Sequence, residues 1–370
     1  MTPAPPDADE LRAIFDAHTP FTVGIEEELM LLDPDSLDLA PVGEQLKDRV
    51  PEDGRFKVEM PAAQFEIASP PLRDAAHAAE FLRAARADLN RAAQGLVKLA
   101  CAGVHPFADE EGELNAGERY RRVHAEYGGI ARRQLAFGLQ VHVAVRPADT
   151  ALKVYNGLRN HLPELLALAA NSPIYRGVDT GLAAVRPKLC ELLPRQGVPP
   201  HLASWDEYAR ALRWGARAGA LPDPGVWWWE LRPHPSWGTL EVRVPDSQRT
   251  VEEAAAIVAT VHALARHLAD SDDPEPRADG PVPTWRIEEN RWQALRHGLD
   301  GTMADLHTGE PTPTRKRLEA LLDTIGAPQA KPLIERNGAD RQREQFEAGG
   351  ARGLTEWLTS GFAEPDPGHG

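Results

Sequence analysis

The sequence predicts an α+β fold, an antiparallel or mixed sheet backed by helices. Three observations carry this. Strand-like and helix-like segments are interspersed without regular alternation, four strand-like segments hold a two-residue period, and the long helical segments repeat apolar residues about every 3.6 positions. In order, residues 1–18 read as a mobile lead-in carrying a short helix. Residues 21–33 read as a strand, and "DPDSLDLAP" is an Asp- and Pro-rich turn. "RFKVEMPAAQFEIAS" is a second strand region, broken near Pro61, and "LRDAAHAAEFLRAARADLNRAAQGLVKLA" is a long helix. After a loop with "GVHPFAD", "ERYRRVHAEYGGIARRQ" forms a helix interrupted at its glycine pair, and "LAFGLQVHVAVRP" is a strand that stops at Pro147. Residues 150–171 are helical, "NSPIYRGVDTGLAAVRP" is irregular, and "WDEYARALRWGAR" is a helix. "VWWWELRPHPSWGTLEVRVPDSQRT" holds two strands around a Pro/Gly turn, and "VEEAAAIVATVHALARHLAD" is a helix with Thr250 as its N-cap. "SDDPEPRADGPVPT" is a flexible loop, and helices fill 285–300, 313–325 and 329–360. The organisation is a lead-in over 1–18, a single domain over 19–360 with a helical part from about 285, and a disordered tail over 361–370.

Composition excludes some classes. With 370 residues, 42% hydrophobic and 26% charged, the chain is long enough for a sizeable core. No apolar run approaches the roughly 20 residues of a membrane span. The start, "MTPAPPDADE", lacks the layout of a secretion signal. Cys101 and Cys190 form no C-x-x-C pair, so the expectation is reduced thiols in a cytoplasmic protein. The formal net charge of −15, without a basic patch, argues against nucleic acid or a membrane surface as partner. It is silent on nucleotides, which local arginines or metal ions can still hold.

Strand phase locates the chemistry. Side chains alternate between the faces of a strand. In 21–33, Phe21, Val23, Ile25, Leu29 and Leu31 share one face, and Thr22, Gly24, Glu26 and Glu28 share the other. Glu27 falls on the apolar side, which suggests a bulge or an edge. In "FGLQVHVAV", Gln140 and His142 oppose the aliphatic face; in "TLEVRV", Glu241 and Arg243 do; in "FEIAS", Glu66 does. Pro61 breaks the phase before Glu59. If these strands share a sheet, Glu26, Glu28, Glu66, Glu241, His142 and Arg243 gather on one face with no lysine among them. Crowded carboxylates raise one another's pKa unless cations neutralise them. An oxygen-rich cluster of this kind suits Mg²⁺ or Mn²⁺, ions that commonly carry nucleotide phosphates. A polar sheet face that is merely hydrated is the competing account.

The chain has no P-loop, H-E-x-x-H or G-x-S-x-G. His105 and His234 read as loop-shaping, and "WWWE" at 227–230 as core or interface. Arg132 and Arg133 stand on a helix beside the His142 strand, where one can clamp a carboxylate or phosphate or simply face solvent.

"TVGIEEELMLLDP", "VEMPAAQFEIAS", "RYRRVHAEYGGIARRQLAFGLQVHVAV", "LPELLALAANSPIYRGVDTGLAAVR" and "LRPHPSWGTLEVRVPDSQRTVEEA" together resemble the ordered motifs of bacterial carboxylate–amine ligases of the glutamate–cysteine ligase type 2 family. "ENRWQALRHGLDG" resembles that family's late helical motif. The resemblance implies a glutamine synthetase/guanido kinase-like catalytic fold, a curved antiparallel sheet flanked by helices that binds ATP with Mg²⁺ on its concave face. It implies metal ligands at Glu26, Glu28, Glu59, Glu66, His142 and Glu241. It places Arg243 and Glu241 in catalysis, adds Arg232 to nucleotide binding, and assigns Arg132, Asn171 and Arg186 to substrate. Two departures stand out. Gln140 replaces the first His of a His-x-His, and Ala183 and Ala184 stand where a serine is usual; both lie near the implied substrate side.

The resemblance implies an ATP-dependent ligase that makes an amide through an acyl phosphate, with the γ-carboxylate of glutamate and cysteine or another amine as substrates, in a possible homodimer. A phosphotransferase on the same fold, or a non-catalytic nucleotide or amino-acid binder on a retired ligase scaffold, are the rival readings.

Overall fold

The computed structural model describes residues 4–219, 227–271 and 280–362. Its centre is a seven-stranded sheet built from β1 (Val23–Leu32), β2 (Phe56–Val58), β3 (Gln64–Ala68), β4 (Lys98–Ala100), β5 (Leu139–Val143), β8 (Leu231–His234) and β9 (Thr239–Val242). Between β5 and β8 lies a separate small hairpin, β6 (Ile174–Tyr175) with β7 (Val178–Asp179). The order is β2-β3-β1-β5-β9-β8, with β4 beside the far end of β1, and every pair is antiparallel.

The period of two decides which face the helices cover. Val23, Ile25, Leu29 and Leu31 of β1, Phe65 and Ile67 of β3, Val141 and Val143 of β5 and Leu240 and Val242 of β9 are all buried in one hydrophobic cluster. Each such side chain gains about 1.5–3 kcal/mol by leaving water. The same cluster takes in Leu82, Ala85 and Leu89 of the Ala75–Ala93 helix, Leu158, Leu162 and Leu165 of Ala148–Ala169, and Ile257, Val261 and Leu264 of Val251–Asp270. The last of these starts where expected: Thr250 accepts from Glu253 N and Glu253 answers to the Thr250 N–H, a capping box. A second, smaller cluster, Met30, Leu32, Ala100, Phe137, Ile174, Leu354 and Leu358, closes the far end of the opposite face beneath the Gly338–Ser360 helix.

Several expectations are corrected. The lead-in is mostly packed helix: Ala8–Asp16, capped by Asp7, buries Leu11 and Phe15 in the main core. The long third segment ends as a helix at Ala93; Gly95 turns with φ +71° and β4 follows, its apolar residues matching a continued helical stripe equally well. A hairpin of β10 (Thr302–Ala304) and β11 (Pro311–Pro313) precedes the Thr314–Ile325 helix, too short and proline-bound to announce itself by alternation. Glu27 lies at neither bulge nor edge. It is fully buried in the middle of β1, bidentate to Arg86 at 2.6 and 2.9 Å. The tail does not begin at 361, because Phe362 is in the core. Residues 363–370 and most of the expected flexible loop (272–279) lie outside the described residues. Both cysteines are free thiols, and no described helix is long and apolar enough to cross a membrane.

Candidate active site

Register turns the strand phases into a surface. Across the polar face, Lys57 of β2 pairs with Glu66 of β3, Glu66 with Glu28 of β1, Glu26 with Gln140 of β5, His142 with Glu241 of β9, and Glu241 with Arg232 of β8. Gly24 faces His142, and a Cβ there would lie 3.2 Å from the His142 Cβ. The glycine makes room for the imidazole.

The charges are tied in a definite pattern. Lys57 Nζ stands 2.9 Å from Glu66 and 3.4 Å from Glu26. Glu28 accepts from the Gly138 N–H at 2.6 Å and from Gln140 Nε2 at 3.1 Å. Arg232 forks onto Glu241 at 2.5 and 3.1 Å, and Arg243 Nη1 donates to both Glu241 and Gln140. Burial pushes the Glu28 carboxyl up to about 7, with the neighbouring Glu59 adding to it. Burial, Glu26 and Glu59 hold Glu66 well above the usual carboxylate range. Burial acts the same way on Glu26, but His142 outweighs it and the carboxyl sits low; on Glu241, Arg232 and Arg243 win by a wide margin. The β1–β3 side of the face is therefore short of positive charge.

One atom points to a cation at this face. His142 is buried, its Nδ1 lies 3.0 Å from Thr239 Oγ1, and its Nε2 has no hydrogen-bond partner. In the tautomer that donates from Nδ1, Nε2 presents a lone pair with no hydrogen donor facing it and the Glu26 carboxylate nearby, an arrangement typical of a metal-ligating histidine. Glu26 Oε2 lies 3.8 Å away, too long for a hydrogen bond, and ligand atoms of Glu26, His142 and Glu241 all fall within 4.8 Å of one another. Carboxylates with one imidazole suit Mg²⁺ or Mn²⁺, so the residues present fit the implied ion.

Beside this cluster is a cavity of about 500 Å³. Glu26, Glu28, Glu59, Glu66, Arg186, Arg232 and Arg243 border it, while His142 and Glu241 are buried beneath. Two expected substrate residues do not reach it. Arg132 has a side chain 44% exposed and pairs with Glu111 on the surface. Asn171 is fully buried, donating its amide to the Ser247 carbonyl and accepting from Gln342, because the chain needs it to fasten the "PDSQ" turn. Ala183 and Ala184 are likewise buried away from the cavity, near Ser172. Gln140 does border it, bridging Glu28 and Arg243. His105 shapes its loop as expected, contacting Leu37 O and accepting from Phe107 N and Ala108 N. His234 accepts from Trp237 N across the β8–β9 turn and also borders the cavity, stacked on the Trp237 ring at 4.2 Å. Sequence reasoning missed Lys57, Tyr120, Trp228 and Trp237 on the cavity wall. The phase of "FKV" could have found Lys57; nothing local marks the aromatics.

Two solved structures share this architecture. A glutamate–cysteine ligase from Francisella tularensis, crystallised with AMP, superposes with a TM-score of 0.69 over 95% of this chain and 91% of its own, at 14% identity. A bifunctional glutathione synthetase from Pasteurella multocida gives 0.68 over 96% of this chain and 53% of its own, at 16% identity. At those identities the likeness is one of fold. Sequence supplies the class, an ATP-dependent carboxylate–amine ligase. The glutamate–cysteine ligase family 2 model matches residues 22–359. A Rubrobacter xylanophilus protein named provisionally as glutamate–cysteine ligase 2-3 is 37% identical over 94% of this chain and 99% of its own length. A Thermobifida fusca protein with the corresponding provisional name is 34% identical over 86% and 80%. The chain belongs to glutamate–cysteine ligase family 2.

Proposed function

We propose that the protein joins the γ-carboxylate of glutamate to an amine at the expense of ATP, by way of an acyl phosphate. The observation that carries this is the unpartnered, buried His142 Nε2 between Glu26 and Glu241, with Arg243 bordering the cavity next to it. The names of the relatives support glutamate as the carboxylate, and the AMP of the Francisella structure supports a nucleotide co-substrate.

Divalent cations, Mg²⁺ first and Mn²⁺ second, held by Glu26, His142 and Glu241 with Glu28, Glu59 and Glu66 around them, would screen phosphate charge and polarise phosphoryl oxygens. The chain's own residues do the rest. Arg232 and Arg243 keep Glu241 ionised and fixed from two sides. Arg243, anchored through Nη1, offers its remaining N–H donors to the transferring phosphoryl group. An oxygen of the substrate carboxylate bonds to the γ-phosphorus as the bond to ADP breaks. The amine nitrogen then bonds to the acyl carbon, inorganic phosphate leaves, and the amine gives up a proton. No side-chain nucleophile is needed, which accords with a sequence lacking the G-x-S-x-G signature.

The test is ADP release from Mg-ATP that depends on both a carboxylate and an amine, paired with hydroxylamine trapping. Only an acyl phosphate yields a hydroxamate, which separates a ligase from a phosphotransferase. Glu241→Gln should lower turnover at least 100-fold. A wild-type protein that gives neither ADP nor hydroxamate with any pair is not this ligase.

A further inference from the structure

On the ligase reading, on which this inference rests, Arg243 must meet a phosphoryl group whose charge spreads during transfer, so the direction of its guanidinium bears on the rate. Its main chain is fixed on both sides. The N–H donates to the Glu230 carbonyl at 2.8 Å, and the carbonyl accepts from Arg186 Nη2 at 3.1 Å. Among the described residues two side chains hold the guanidinium, both through Nη1: Glu241 and Gln140.

Glu241 is a divided partner. Arg232 grips it at 2.5 and 3.1 Å, and it shares the candidate cation position with Glu26 and His142. Gln140 is better placed to give a direction. It is 5% exposed, its Oε1 accepts from Arg243, and its Nε2 donates to Glu28 Oε1 at 3.1 Å. The Glu28 end is itself anchored, because Glu28 Oε2 accepts from the Gly138 N–H at 2.6 Å. Register brings the two side chains together: Val141 pairs with Val242, which seats residue 140 of β5 beside residue 243, one step past the end of β9.

The amide chemistry is matched to this place. A guanidinium can only donate and an ionised carboxylate can only accept, so a side chain lying between them needs an acceptor at one end and a donor at the other. A glutamate at 140 would give Arg243 a second anion, cancelling charge meant for the phosphoryl group, and would face Glu28 with like charge. An apolar residue would leave Nη1 to Glu241 alone. The neutral amide aims the guanidinium and leaves its charge intact.

We infer that Gln140 is a positioning residue for phosphoryl transfer: clamped to Glu28, it accepts from Arg243 Nη1 and so turns the remaining guanidinium N–H groups toward the transferring phosphoryl group.

The experiment measures hydroxamate formation from Mg-ATP, glutamate and hydroxylamine by the full chain, with rates compared at equal folded fraction from thermal unfolding. A wild-type protein that forms no hydroxamate removes the ligase reading, and the inference with it. Gln140→Met keeps the volume without the hydrogen bonds, and Gln140→Asn keeps the amide but is one methylene too short to span both partners. Each should lower kcat at least about 20-fold while the KM for Mg-ATP stays within about threefold, since aim is felt in the transition state. A residue that merely keeps the wall polar would survive as asparagine. Arg243→Lys should lower kcat further than either, and adding Gln140→Met to it should cost less than about threefold more, because the second change has no guanidinium left to misdirect. With hydroxamate formed by the wild type, three results overturn the inference while the ligase reading stands: a Gln140→Asn variant as fast as the parent, a rise in KM that matches the fall in kcat, or full multiplication of the two losses in the double variant.

Discussion

Replacing Arg86 by methionine should be among the most damaging single changes in this chain. Arg86 and Glu27 are both fully buried and bidentate, and Arg86 also donates to the carbonyls of Gln248 and Arg249 at 2.8 Å and of Phe362 at 3.2 Å. Methionine keeps most of the volume but strands an ionised Glu27 inside the core and leaves three carbonyls without their donor. Breaking a buried pair from one side costs about 3–5 kcal/mol, and the lost carbonyl contacts put this case at the upper end. Against a total stability of roughly 5–15 kcal/mol, that is a large fraction. Urea unfolding followed by tryptophan fluorescence measures it. The pair of variants Arg86→Met and Arg86→Met/Glu27→Leu isolates the cause, since removing both charges should recover at least half of the loss. If Arg86→Met lies within 1 kcal/mol of the parent, or if the double variant is no more stable than the single one, the account of Glu27 as a paired structural charge is wrong.

Two further outcomes are expected. Thr239→Val removes the group against His142 Nδ1 and should weaken Mn²⁺ binding, read by electron paramagnetic resonance of the free ion, by about 10–100-fold; unchanged affinity would take His142 out of the metal site. Glu164 is buried, yet its carboxyl is held down at about 2, since His161 and Arg317 outweigh the burial that pushes it up. A folded-state pKa below the unfolded one stabilises above about 4.5 and is lost as pH falls toward about 2, a swing of about 3 kcal/mol. Glu164→Gln should flatten the acid limb of the stability curve in that window and nowhere else, and a curve parallel to the parent's from pH 5 to 2 would refute it.

The site was legible to the extent that it obeys a local rule. Glu26, Glu28, Glu66, His142, Glu241 and Arg243 share a face because strand side chains alternate, and that phase can be read from each segment separately. Glu27 was read onto the apolar side correctly but its reason was not, because its partner Arg86 sits on a helical segment 59 positions away and no spacing rule links them. Arg132 and Asn171, assigned to substrate by the resemblance, both lie away from the cavity: Asn171 fastens the turn at Ser247, and Arg132 pairs with Glu111 at the surface. Trp237 became visible only when β8 was folded back beside β9, because an aromatic in a turn carries no periodic signal, and Trp228 sits in an irregular segment before β8 where none exists either. β4 was hidden for a related reason, three residues being too few to separate a strand from the end of a helical stripe.

The polar face draws its side chains from positions as distant as 26 and 241, with β9 inserted beside β5 only after most of the chain is made. At translation rates of about 5–20 residues per second, the ribosome takes roughly ten to forty seconds between Glu26 and Glu241. Through that interval the nascent chain carries a half-built acidic patch that lacks both Glu241 and Arg243. Catalytic competence is thus a late event in the life of each molecule, and abandoned fragments of the chain are expected to be inert toward triphosphates.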